Sequence, residues 1–193
     1  IEIQRGGFDL ISVTDNGHGI PESELILAVT RHATSKLTDA SDLAAIGTLG
    51  FRGEALPSIG SVSRMDIISR TPGADTAFAI SIEGGAKSEP GPAARPNGTT
   101  IEVRDLFFAT PARLKFLKAE STERGHALDV VKRLAMAHPE IAFSLGDGNR
   151  SLLNLAAAGG DFFDARLDRV GAIMGNKFAE NALAVDATRE AIR

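Results

Sequence analysis

Apolar and polar positions partly alternate from Phe8 to Thr14, and the run is rich in β-formers, which predicts a strand. It runs into the turn-forming cluster Asp15-Asn16-Gly17-His18-Gly19. Pro21 suits the first turn of a helix, with Glu22 and Glu24 near its positive end. That helix carries Leu25, Leu27, Ala28 and Val29 and frays near Arg31-His32. Residues 34–62 form a long segment punctuated by Gly47, Gly50, Gly53 and Gly60, with short helical pieces such as Ser41 to Ile46. Such length predicts a lid or binding loop. Three strand-like runs follow: Arg64 to Ser69, Ala77 to Glu83 and Thr99 to Leu106. Between the last two, Lys87 to Gly98 holds three prolines and two glycines and reads as an exposed loop. Ser121 is the expected cap of an amphipathic helix with Leu128, Val131, Leu134 and Ala135 on one face, ending at His138-Pro139. Ile141 to Leu145 and Ser151 to Leu155 flank Gly146-Asp147-Gly148-Asn149 as a hairpin. Gly159-Gly160 marks a linker, and residues 161–193 read as the first elements of another unit. The fold class expected is α+β, with a mixed or antiparallel sheet and helices on one face.

Composition narrows the function classes. A hydrophobic fraction of 43% supports a packed core and argues against disorder. No apolar run approaches the roughly 20 residues of a membrane helix. The first ten residues lack the basic and apolar regions of a secretory signal. Cysteine is absent, which excludes disulfides and thiolate metal sites. The net charge of −4 means that any contact with DNA is expected through a local patch. The chain starts without Met and stops in a helix-like stretch at Ala191-Ile192-Arg193, and so reads as a fragment.

Three motifs carry candidate chemistry. In Asp15-Asn16-Gly17-His18-Gly19-Ile20, a carboxylate at a strand end can accept a hydrogen bond from an exocyclic amine. The glycines after it remove side-chain bulk beside a flat ring. In Gly50-Phe51-Arg52-Gly53-Glu54-Ala55-Leu56, two glycines bracket an arginine before a helix-favouring run, a composition suited to anions. There is no Walker A loop and no dinucleotide fingerprint. In Gly98-Thr99-Thr100, threonine hydroxyls can bond a base nitrogen directly or through water. Singly, each has a plain structural reading: a strand-to-helix turn, a glycine-bearing surface loop, a β-branched strand start.

In this order the three resemble the ATP-site motifs of the superfamily that contains gyrase, heat-shock chaperones, histidine kinases and MutL. Two stretches resemble the MutL family of DNA mismatch repair proteins in particular. One is Arg31-His32-Ala33-Thr34-Ser35-Lys36 followed by Gly50 to Leu56. The other is Asp105-Leu106-Phe107-Phe108 with Ala109-Thr110-Pro111-Ala112-Arg113-Leu114-Lys115-Phe116-Leu117. The resemblance is strong over roughly residues 1–135. It implies a Bergerat-type ATPase sandwich over 1–160 and the start of a second, transducer-like α/β domain over 161–193, entered near Gly171 to Gly175.

By this resemblance Asp15 binds the adenine amine, with Asn16 beside it. Gly17 and Gly19 shape the pocket, and Thr100 supports the base. Thr34, Ser35 and Lys36 border a lid, and Gly50, Phe51, Arg52, Gly53, Glu54, Ala55 and Leu56 wrap the phosphates. Glu54 is expected to point away from them. His18 and His32 are assigned no catalysis. The family's general-base Glu and its Mg²⁺-holding Asn lie on a helix before the first strand. Glu2, in strand-like sequence, does not fit that role. Base and metal ligand are therefore expected upstream of Ile1, with no catalytic residue and no metal ligand here. Residues 1–193 alone are then expected not to hydrolyse ATP, although the family does so with Mg²⁺.

The implied function is an ATP-operated repair matchmaker. ATP closes the lid and dimerises the N-terminal domains, and the dimer relays a mismatch signal from the recognition protein to downstream repair enzymes. Its place is cytoplasmic, at the nucleoid, in a bacterium and nuclear in a eukaryote, with no membrane. The alternatives are another ATPase of the superfamily, such as a topoisomerase subunit or chaperone, and a non-catalytic module binding DNA or a partner. Residues 107–133 hold six basic residues (Arg113, Lys115, Lys118, Arg124, Lys132, Arg133) against Glu120, Glu123 and Asp129. Arg113, Lys115, Lys118, Lys132 and Arg133 are the candidates for weak, non-specific DNA contact. A solvated helix face is the plainer reading. The phenylalanines nearby read as core.

Overall fold

The computed structural model describes residues 1–31 and 53–183. The expected lid residues Thr34, Ser35 and Lys36, and Gly50, Phe51 and Arg52 of the expected phosphate loop, lie outside these. The chain forms two compact units, Ile1–Glu123 and Arg124–Arg193. Compactness thus divides the chain inside a helix, earlier than the Gly159-Gly160 linker.

In the first unit, β1 (Glu2–Gln4) and β2 (Leu10–Thr14) are joined by a tight turn through Arg5–Gly7. Helices α1 (Glu22–Ala28) and α2 (Ala55–Gly60) come next. The strands β3 (Arg64–Arg70), β4 (Ala77–Glu83), β5 (Ala86–Lys87), β6 (Gly91–Ala93) and β7 (Gly98–Arg104) complete the sheet. Its order is β5-β4-β3-β7-β2-β1, with β6 also on β4. The strand pairs are antiparallel. Helices α3 (Pro111–Leu114) and α4 (Glu120–Ala137) follow, the unit boundary falling within α4.

Alternation along the strands builds the core. Register sets Ile3 opposite Ile11, Ile11 opposite Val103, Val103 opposite Met65, and Met65 opposite Ile82. A second row runs Val13, Ile101, Ile67, Ile80. On this face Leu25 of α1 and Val29, the residue that follows the helix, are buried, and Leu56 and Ile59 of α2 pack beside them. Each such buried side chain is worth about 1.5–3 kcal/mol over leaving it in water. The α+β class and the helix-covered antiparallel sheet follow the sequence expectation.

Several boundaries differ. The segment read as a loop from Lys87 to Gly98 contributes the short edge strands β5 and β6 to β4. Pro92 is tolerated there because an edge strand has one unpaired side. The β7 strand stops at Arg104 because Asp105 turns to φ +50° and Phe107 to φ +70°. Ser121 is not the cap of α4, since the helix already includes Glu120.

The second unit contains the rest of α4, the hairpin of β8 (Phe143–Asp147) and β9 (Arg150–Leu155), then α5 (Phe162–Met174) and α6 (Asn176–Ala179). Gly148-Asn149 makes the hairpin turn, with Gly148 at φ +60°. Asp161 caps α5 by accepting from the N–H groups of Phe163 and Asp164 at 2.9 and 3.0 Å. Arg169 of α5 is buried, and its guanidinium donates to the carbonyls of Ala135, Pro139, Ile141 and Ala156 at 2.7–3.1 Å.

Candidate nucleotide-binding site

The pairing of β2 with β7 continues one residue past the strand: the Asp15 N–H donates to the Thr99 carbonyl at 2.9 Å. Asp15 therefore falls on the face of Ile11 and Val13, the side that carries the helices. Its carboxylate closes the turn. Oδ1 accepts the Gly17 N–H at 2.8 Å and the Thr99 N–H at 3.1 Å. Arg95 donates to the Asp15 carbonyl at 3.2 Å and to the Ile68 carbonyl at 3.2 Å, locking two strand ends together. Backbone is thus held on every side, while Oδ2 makes no hydrogen bond among the described residues and Asp15 is exposed. A fixed acceptor aimed outward from a sheet end is suited to an amine ligand.

The glycines around it are required by the protein itself. Gly19 has φ +69°, and a Cβ there would sit 2.3 Å from the Arg70 carbonyl oxygen. Gly98 has φ +110°, and its Cβ would sit 2.1 Å from the Asp15 carbonyl oxygen. Neither position accepts a side chain. The expectation that Gly19 clears space for a flat ring is corrected: the space is already filled by the Arg70–Thr71 backbone. At Gly17 an added Cβ would come to 3.0 Å from Oδ1 of Asp15, so this glycine also leaves little room for a side chain.

The structure does not bring Thr100 to this site. Thr100 is opposite Thr14 in the register, so its side chain points to the other face, where its hydroxyl meets that of Thr14 at 3.0 Å. Strand alternation puts Thr99 on the Asp15 face instead. Thr99 is buried, and its hydroxyl lies 3.0 Å from that of Ser69, which is also buried. Ser69 accepts the Ile20 N–H at 2.6 Å and donates to the Gly98 carbonyl at 3.1 Å. Ser69 and Arg95 are not singled out by the sequence, and nothing in it marks them; of the Gly98-Thr99-Thr100 motif the sequence reading assigns Thr100 to the base, whereas the register of β7 on β2 puts Thr99 on the Asp15 face.

Elsewhere the expected residues divide. Asn16 is exposed in the turn. Gly53 has φ +62° and Glu54 precedes α2, exposed. Ala55 is exposed, whereas Leu56 packs on the sheet core and serves the fold. Among the described residues no group of three or more His, Cys, Asp or Glu is placed to hold a metal ion.

The basic candidates are also unequal. Arg113, Lys115 and Lys118 are exposed around α3 in the first unit. Arg113 lies 6.0 Å over the Phe107 ring. Lys132 and Arg133 belong to the second unit, where Arg133 is engaged by Asp129 at 2.8 Å. Phe116, read as core, is instead 81% exposed, because α3 ends at Leu114 and leaves it outside.

The fold is that of an ATPase domain. The Aquifex aeolicus MutL ATPase domain complexed with ADP superposes with a TM-score of 0.66 at 32% identity, over 90% of this chain and 59% of that one. The sequence then narrows the class. DNA mismatch repair protein MutL of Rhodospirillum rubrum is 59% identical over 193 residues, all of this chain and 30% of the relative. MutL of Paramagnetospirillum magneticum is 58% identical over the same span, 32% of its length. No protein-family profile matches. The chain belongs to the MutL family of DNA mismatch repair proteins, and it spans about 30% of the length of these curated relatives. A topoisomerase subunit or chaperone is thereby set aside. Among the described residues no helix is long and apolar enough to cross a membrane.

Proposed function

We propose that this chain carries the adenine-recognising half of an ATP site, and that ATP binding and hydrolysis in the intact protein drive DNA mismatch repair. The observation that supports this most directly is Asp15: a carboxylate with one oxygen saturated by backbone N–H groups and the other free. A purine amine fits that free acceptor. Residues 1–160 then act as the ATP-binding domain and 161–193 open the second domain. ATP dimerises the N-terminal domains, and the dimer passes a mismatch signal from the recognition protein to downstream repair enzymes, in the bacterial cytoplasm. DNA contact is weak and electrostatic, centred on Arg113, Lys115 and Lys118.

The test is calorimetric titration of the intact protein with ATP and ADP, beside sizing with a non-hydrolysable analogue. Nucleotide binding accompanied by dimerisation is expected. A folded protein that binds neither nucleotide would leave a non-catalytic DNA- or partner-binding module as the correct reading.

A further inference from the structure

Phe116 is 81% exposed, against 46% for Phe178 and 42% for Phe163. Its backbone is nevertheless held. The Arg113 N–H donates to the Thr110 carbonyl at 2.8 Å, the Phe116 N–H to the Arg113 carbonyl at 3.1 Å and the Leu117 N–H to the Leu114 carbonyl at 3.2 Å. Helical turns thus run on past α3 and fix where the ring leaves the chain. Three-residue spacing on such turns puts Arg113 on the side of Phe116, and Lys118 on that of Lys115. All four side chains are exposed. The acids that follow are already engaged: Glu120 pairs with Arg5 at 2.7 Å, and Glu123 accepts the Lys118 backbone N–H at 2.9 Å. The rings upstream are occupied too, with Arg113 6.0 Å over Phe107 and Arg64 4.4 Å over Phe108. Phe116 alone of these three offers its faces to solvent.

We propose that Phe116 is a base-stacking residue, a flat apolar platform among Arg113, Lys115 and Lys118 that takes an unpaired base of a DNA strand. The inference rests on the reading that these three cations contact DNA, and it adds a contact that is not electrostatic. A single strand carries both complements at once: phosphates for the cations and planar bases for the ring. In a duplex the base faces are stacked on one another and out of reach, so only the phosphate contacts remain. An acidic protein segment would match the charge but offers no regular row of flat faces. Phe116 thereby makes this segment respond to whether a strand is paired. It reads no sequence, because every base has a π-face.

The experiment measures, by fluorescence anisotropy, the affinity of the intact protein for a labelled oligo-dT strand and for a duplex of equal length. Phe116→Ala should lower single-strand affinity by about tenfold, the scale of one lost base stack, and leave duplex affinity unchanged. The salt slope should stay as in wild type on both, since a stacked base releases no counterion. Phe116→Trp, which keeps a flat face, should retain single-strand affinity, whereas Phe116→Leu, apolar but not flat, should behave as Phe116→Ala. Equal effects of Phe116→Ala on strand and duplex, or wild-type single-strand binding by Phe116→Leu, overturn the inference. So does a lowered melting temperature of Phe116→Ala, which would show that the ring packs within the intact protein, or a loss confined to binding of a protein partner. In each of these cases a weakened Lys115→Glu, Lys118→Glu protein leaves the electrostatic reading standing. Failure of wild type to bind either DNA overturns both.

Discussion

Replacing Asp15 with Asn changes one functional atom of the site. Oδ1 accepts two backbone N–H groups, from Gly17 at 2.8 Å and Thr99 at 3.1 Å. An asparagine carboxamide must put its oxygen there, since the NH₂ group would face two donors. The NH₂ group then occupies the place of Oδ2 and meets the ligand amine donor to donor. The interaction removed is a hydrogen bond to a charged acceptor, worth ~1.5–3 kcal/mol. At 1.4 kcal/mol per tenfold, ATP and ADP affinity should fall roughly 10- to 150-fold. Folding should suffer little, because both turn bonds survive with a neutral acceptor in place of a charged one, a loss of about 1 kcal/mol. Calorimetry of the intact Asp15→Asn protein, with thermal melts alongside, separates the two effects. Asp15→Ala provides the contrast, as it also frees both N–H groups and should lower the melting temperature further. A natively melting Asp15→Asn protein with wild-type nucleotide affinity would show that this carboxylate does not face the ligand.

Gly98→Ala forces a Cβ to within 2.1 Å of the Asp15 carbonyl at φ +110°, and should cost about 1–3 kcal/mol of stability together with nucleotide affinity. Gly91→Ala, with open space around it, is the matched control for denaturant melts. Gly6→Ala should destabilise in the same way, since φ is +67° and the added carbon would lie 2.5 Å from the Glu120 carbonyl oxygen. Lys115→Glu with Lys118→Glu should weaken DNA binding and reduce the salt slope by roughly 0.9 for each phosphate that is no longer neutralised. Arg133→Glu should change the slope less, because its charge is already engaged by Asp129; equal slopes in a filter-binding salt series would refute that ranking.

The elements legible in the sequence were those set by local pattern. Alternation located β2, β3, β4 and β7, and the spacing of Val131 and Ala135 located α4. What escaped depends on pairing. Thr99 and Thr100 are identical neighbours, and only the register of β7 on β2 decides which of them meets Asp15. The edge strands β5 and β6 were hidden by Pro90, Pro92 and Pro96, which suggest a loop until β4 offers an open side. Ser69 is one serine in a strand, and its importance arises from Ile20 and Gly98 reaching it from distant points. Arg95 looks like loop charge, yet its partners are backbone carbonyls, which no side-chain pattern records. The MutL resemblance singled out Asp15 and the Gly98-Thr99-Thr100 stretch ahead of any of this, and the register then puts Thr99, not Thr100, on the face of Asp15.

Arg169 closes a junction whose other members all precede it in the chain. The carbonyls it satisfies belong to Ala135, Pro139, Ile141 and Ala156, all earlier in the chain than the arginine itself. Buried carbonyls need partners. As the polypeptide leaves the ribosome, α4 and the hairpin can form, but the junction between them stays solvated until α5 has emerged and delivered its guanidinium. The carbonyls of that junction therefore gain their guanidinium partner only once residue 169 is in place.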